Sequence, residues 1–177
     1  FEAFISTENK QCLLVRQAIE RFRRMQSDRD FLFDEDAAKR AINFPQLFTH
    51  FETAAFRGRP FELLPFQQFI VGNIFGWKWR DSGLRCFKTA YVEVPRKNGK
   101  TMLAAPVAGY ALTADREGGA QVYCVATKEE QAKICWRNCV KLFKSNADVA
   151  KCLKFRVKSI EFDSLDAFMK PLGSDSH

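Results

Sequence analysis

The six cysteines of this chain form no C-x-x-C pair, and only two histidines are present, His50 and His177. Zinc sites draw on clustered Cys and His, so that chemistry is not expected. No apolar run reaches the roughly 18 residues that a membrane-crossing helix needs, and no signal-peptide pattern is present. A membrane role is therefore not expected. Internal repeats and low-complexity stretches are also missing, which removes solenoids and disordered tails. A starting methionine is absent too, since the chain opens on Phe1, and its true N-terminus is expected upstream. Of Cys12, Cys86, Cys124, Cys135, Cys139 and Cys152, those inside apolar runs read as small core residues. Cys135 and Cys139 lie one helical turn apart, which favours reduced packing partners and a reducing, cytoplasmic compartment.

What is present supports a folded body. Hydrophobic residues make up 46% of the 177 positions and include 18 phenylalanines, enough for a sizeable core in one domain or a piece of a larger one. The formal charge of +7 permits contact with nucleic acid or nucleotides. Most of those charges are dispersed, and a solvated surface accounts for them equally well.

In chain order, residues 11–25 place Val15, Ala18, Ile19, Phe22 and Met25 on one helical face. Arg16, Glu20, Arg21, Arg23 and Arg24 fall mainly on the others, as in an ordinary amphipathic helix or a DNA-binding one. Asp34 is an N-cap for a second helix through Ala41 and Ile42. A third, from Pro45, aligns Phe44, Leu47, Phe48, Phe51, Ala54 and Ala55 and ends at Gly58-Arg59-Pro60. Pro65 suits the first turn of a helix reaching Phe75. Residues 85–94 read as a buried strand, and 101–114 as a helix interrupted by Pro106. A turn over 115–119 leads to a second buried strand at 121–126. Thr127 then caps a helix, with Glu130 completing a capping box. Residues 154–162 and 167–172 form a hairpin around Asp163-Ser164. Strand, helix, strand, helix predicts a βαβ unit and a parallel α/β sheet.

The centre of this arrangement is the loop over 94–101, Val-Pro-Arg-Lys-Asn-Gly-Lys-Thr. A tight loop between a strand and a helix N-terminus suits a phosphate, because unpaired backbone N–H groups and the helix dipole both favour an anion. Lys100 beside Gly99 can reach outer phosphates, and the Thr101 hydroxyl can ligate Mg2+. Val94 stands where the first glycine of G-x-x-x-x-G-K-[ST] belongs. Arg96 can lie against a γ-phosphate and stabilise charge in phosphoryl transfer. The plain alternative makes Arg96 and Lys97 solvated loop cations. Upstream, Phe66 can stack on a purine and the Gln67 amide can read an adenine edge. Their plain alternative is a core phenylalanine and a surface glutamine.

Residues 61–67, Ile74-Phe75-Gly76-Trp77, the 94–101 loop and Ala126-Thr127-Lys128-Glu129-Glu130-Gln131-Ala132 occur in this order. Together they resemble the N-terminal ATPase domain of the large terminase subunit of tailed bacteriophages, the motor that packages viral DNA into a procapsid. The resemblance runs from about Phe44 onward. It implies a RecA-like P-loop ATPase core, a parallel sheet flanked by helices, followed in the family by an RNase H-like nuclease. The implied division is a helical subdomain over 1–60 and the first part of the ATPase domain over 61–177. Carried over residue by residue, Lys100 matches the phosphate lysine, Thr101 the magnesium-ligating hydroxyl and Arg96 an arginine finger acting in cis. Lys97, Asn98 and Gly99 complete the loop, and Phe66 with Gln67 match the adenine-recognition pair. ATP and Mg2+ are the implied cofactors. Double-stranded DNA, the small terminase subunit and the portal protein are the implied partners of a homo-oligomeric ring in the bacterial host cytoplasm.

The chain departs from the family in one respect. An apolar strand ending in Asp-Glu should follow Thr101, and none does: Ser159-Ile160-Glu161-Phe162-Asp163 is too polar and wrongly spaced. The expectation is a nucleotide-binding piece that does not turn over ATP alone. Another P-loop translocase, a helicase-like ATPase or a non-catalytic interaction module remain as alternatives.

Overall fold

The structure is a computed structural model that describes residues 1–49, 58–95 and 98–173, apart from the side chains of Ala3 and Thr101. Its described residues fall into two compact units. The first joins residues 1–43 to 63–93, and the second joins 44–62 to 94–177.

The first unit is helical, with one small ribbon. A short helix α1 (Glu2–Ile5) precedes α2 (Leu13–Ser27), whose buried face is Ile19, Phe22 and Met25. Strong helix formers fill its other positions, so propensity and amphipathic spacing agree. Strand β1 (Phe31–Phe33) leads into α3 (Glu35–Asn43). Asp34 caps α3 as expected, its Oδ1 accepting the Ala37 N–H at 2.8 Å. Next come α4 (Pro65–Gly76), which opens on its proline, and β2 (Trp77–Trp79), paired antiparallel with β1. Small residues bring α3 and α4 together: a Cβ on Gly76 would stand 3.0 Å from the Ala38 methyl and 2.5 Å from the Phe33 ring. The core gathers around Trp77, which is fully buried among Phe22, Phe31 and Phe33 and donates from Nε1 to Asn73 Oδ1 at 3.0 Å.

Asp34 is also a checkpoint for stability. Its hydrogen bond from Lys78 Nζ, at 2.6 Å, and then the Ala37 N–H hold its carboxyl below the ordinary 3.8. A depressed carboxyl contributes stability that is complete above its unfolded pKa and is lost as pH falls through the folded one. Acid titration should therefore weaken this unit from about pH 4 downward. Asp34→Ala should cost about 1–2 kcal/mol at neutral pH and flatten that acid limb. Urea unfolding at neutral and acid pH reads both effects, and an unchanged midpoint would refute them.

The second unit carries the sheet. A 3-10 turn, Phe44–Leu47, packs Phe44 against Tyr110 and Phe48 against Phe143. The helix expected from Pro45 is described only as this turn, and its continuation over 50–57 lies outside the described residues. Helix α5 (Lys100–Thr113) runs on through Pro106. Strand β3 (Gln121–Ala126), helix α6 (Glu129–Lys144), helix α7 (Ala147–Lys151), β4 (Lys154–Phe155), β5 (Ile160–Phe162) and β6 (Ala167–Gly173) follow. The sheet order is β3-β6-β5-β4. β3 and β6 are parallel, while β5 and β4 extend the sheet antiparallel. The parallel neighbours β3 and β6 are thus joined through α6, α7 and the antiparallel strands β4 and β5. That connection does not run across the 94–101 loop.

Three further expectations need correction. Residues 85–94 form no strand beyond an isolated Lys78–Arg85 bridge, and Tyr91 is 87% exposed. An alternating apolar run makes a strand only where another backbone pairs with it. β3 is also not buried throughout: Cys124 is covered, whereas Val125 is 73% exposed, because α6 covers only one face. Finally, α6 starts two residues after Thr127. Lys128 is its N-cap, and the Thr127 hydroxyl donates to Gln131 Oε1 at 3.2 Å.

Candidate functional site

The second unit presents a helix N-terminus at the expected loop. Gly99 caps α5 in the left-handed region, φ 71° and ψ 21°, a conformation glycine adopts without steric cost. It has no side chain to accept a hydrogen bond, so no cap blocks the first turn. Leu103 N–H closes a helical bond to Gly99 O at 2.9 Å. The first amides of a helix lack intrahelical acceptors, and here they lie at the positive end of a 14-residue helix.

Lys100 is exposed, and its Nζ donates to the Val94 carbonyl at 2.9 Å. That bond folds the lysine back across the loop. The bond is charge-assisted on the donor side only, and a phosphate oxygen in place of the carbonyl would add charge on the acceptor side as well. Asn98 Nδ2 lies 3.4 Å from Pro95 O and braces the same turn. Arg96 and Lys97 lie outside the described residues, as does the side chain of Thr101, whose backbone is the second position of α5. No cation partner for Thr101 is therefore read from the geometry.

The body behind the loop is closely packed. Leu103, Ala105, Tyr110 and Leu112 are buried. α5 packs closely on α6: a Cβ on Gly109 would stand 3.1 Å from Phe143 Cζ, and Cys139 Sγ donates to Ala105 O at 3.3 Å. At the start of α6, Glu129 receives Lys133 at 3.0 Å and Lys158 at 3.2 Å, which hold its carboxyl below the ordinary range. These contacts fix the helix that follows β3.

Phe66 and Gln67 belong to the first unit. Phe66 is half-buried on α4 and Gln67 is 5% exposed. Gln67 Oε1 accepts the Leu64 N–H at 2.9 Å, a helix-capping bond. Sequence reasoning missed this cap, although Gln at the third helical position after Leu64 is its usual signal. The Val94 carbonyl was equally unforeseen. Being backbone, it carries no sequence signal.

Among known proteins, the family described as terminase large subunit, ATPase domain, matches residues 65–177. The crystal structure of the HK97 bacteriophage large terminase superposes with a TM-score of 0.65 at 22% identity, over 79% of this chain and 28% of that one. At that identity the likeness shows the fold: mixed α/β, a sheet flanked by helices. This chain therefore spans little more than a quarter of the HK97 protein's length. No curated protein matches.

Proposed function

The chain belongs to the terminase large-subunit ATPase domain family, and from that premise we propose that it is the ATP-binding part of a viral DNA-packaging motor. The uncapped N-terminus of α5, with Lys100 beside it, carries the reading. In it the β- and γ-phosphates sit on the first α5 amides, Lys100 leaves Val94 for a phosphate oxygen, and Lys97, Asn98 and Gly99 shape the loop. Arg96 stabilises the charge that develops on the transferred phosphoryl group, and Phe66 with Gln67 serve the adenine. Magnesium bound with the nucleotide neutralises phosphate charge, and the Thr101 hydroxyl would hold it. The lysine and the helix-terminal amides are donors that suit the phosphates, while Mg2+, which takes oxygen ligands, would draw them from the Thr101 hydroxyl and from the nucleotide itself.

The intact motor would grip double-stranded DNA mainly through phosphates and so salt-sensitively. It would act as a homo-oligomeric ring with the small subunit and portal protein in the host cytoplasm, and would also carry an endonuclease. Among the described residues no helix is long and apolar enough to cross a membrane. The family match opening at residue 65 supports an ATPase portion from about residue 61, and a helical subdomain over 1–60 remains part of this reading although packing joins residues 63–93 to 1–43. No strand ending in Asp-Glu follows Thr101 among the described residues, so this reading expects ATP binding without turnover.

Isothermal titration with a non-hydrolysable ATP analogue and Mg2+ tests the reading. Saturable binding is expected. Lys100→Ala should weaken it about ten- to a hundredfold, the range lost with one hydrogen bond to a charged group. Binding that is undiminished in the variant would favour a non-catalytic interaction module instead.

A further inference from the structure

Three of the six cysteines meet inside the second unit. Cys135 and Cys139 stand one turn apart on α6, and Cys124 lies on β3, the strand that α6 covers. Cys135 is the centre of the group, sharing side-chain hydrogen bonds with both of the others. Cys124 and Cys139 are buried, at 8% and 0% exposure, whereas Cys135 is partly exposed. Solvent therefore reaches one sulfur of the cluster, and its two partners are shielded from outside thiols. The hydrogen bond from Cys124, then that from Cys139, favours a thiolate on Cys135 and holds it below the ordinary 9.0. Cys124 is the principal donor, because the single proton of Cys139 is also drawn to the Ala105 carbonyl, at 3.3 Å. The same contact with Cys135 pushes the Cys124 thiol up. Cys86 shows how a plain packed cysteine behaves, raised by burial alone.

We propose that Cys135 and Cys124 are a redox-active pair: a hydroperoxide oxidises Cys135 to a sulfenic acid, and Cys124 resolves it as a disulfide joining α6 to β3. In the first step the Cys135 sulfur attacks the terminal peroxide oxygen and the O–O bond breaks. The alkoxide or hydroxide leaves with the electron pair and takes a proton from solvent, and Cys135 becomes the sulfenic acid. That step removes the negative charge that held the proton on Cys124. The Cys124 sulfur then attacks the sulfenic sulfur, the S–O bond breaks, and the oxygen leaves as water with the Cys124 proton. Two thiols have given two electrons to one peroxide. Residues four apart on a helix have Cβ atoms about 5–6 Å apart, beyond the roughly 3.5–4.5 Å of a disulfide, so Cys139 is not the resolving thiol. In a reducing compartment such a bond is transient, as redox-sensing disulfides are. The pair goes beyond the nucleotide reading and does not depend on it.

Treating the reduced 177-residue chain with stoichiometric hydrogen peroxide, followed by trypsin and mass spectrometry, tests the pair. Lys128 and Lys133 separate Cys124 from Cys135, and Arg137 separates Cys135 from Cys139, so each pairing gives its own linked peptides. The expected result is a Cys124–Cys135 bond, loss of two of the six thiols, and their full recovery with dithiothreitol. This should precede any change at the exposed Cys12 and Cys152. Cys124→Ala should stop at the sulfenic acid, trapped on Cys135 by dimedone, and Cys139→Ala should still form the bond. A chain unfolded by substitution would label its remaining cysteines alike, so selective trapping separates the chemistry from damage. Where a variant does not fold, the wild-type cross-link alone decides. Earlier reaction of Cys12 or Cys152, a bond between other cysteines, or Cys135 left unmodified in folded Cys124→Ala would each overturn the proposal.

Discussion

Arg96→Ala should lower the rate of ATP hydrolysis by about 10³- to 10⁵-fold in a terminase that contains this chain with the rest of its ATPase domain, the range measured for arginine fingers. The effect should fall on kcat with little change in KM, because the guanidinium acts on charge that appears during transfer. Lys100→Ala should behave differently. Its ammonium touches the bound nucleotide before and during reaction, so affinity and turnover both suffer. Steady-state kinetics of the two variants separate the roles. An Arg96→Ala enzyme with wild-type kcat would show that the cation is a solvated loop residue.

Trp77→Ala should destabilise the first unit by about 3–5 kcal/mol, the usual cost of emptying a large aromatic site. The indole is fully buried, with ring centroids 5.2 Å from Phe22 and 5.0 Å from Phe33. Its loss also strands Asn73 Oδ1, the acceptor of its N–H. Typical domains hold only about 5–15 kcal/mol in total, so a large part of the unit's stability should vanish. Far-UV circular dichroism during urea unfolding reads this directly. A loss below about 1 kcal/mol would mean that neighbouring rings close the cavity, contrary to the packing described here.

Local signals carried most of the helical structure. Ile19, Phe22 and Met25 recur at helical spacing, Asp34 stands one residue ahead of α3, and Pro65 opens α4; each is written within a single turn of chain. The same holds for Gly99, whose freedom at positive φ is a property of the residue itself. The strand reading of residues 85–94 went wrong because pairing is non-local: Tyr91-Val92-Glu93-Val94 alternates correctly, yet no described backbone pairs with it. β3 was read as buried for a related reason. Its apolar content says that a cover is wanted, whereas the position of α6 decides which face receives one. At the site, Lys100 was legible as a phosphate ligand by its neighbours in sequence. Its resting partner, a backbone carbonyl six residues earlier, was not. The Gln67 amide looked wholly free for adenine, but half of it serves the helix it sits on.

The claim at the centre of this account is that a triphosphate sits on the first turn of α5. Amide ¹H–¹⁵N spectra of the 177-residue chain, recorded with a non-hydrolysable ATP analogue and Mg2+, observe those donors directly. The account predicts saturable shifts at Gly99, Lys100, Thr101 and Met102 with the triphosphate, much weaker ones with adenosine, and their loss in Lys100→Ala. Unmoved α5 amides at saturating analogue would contradict it.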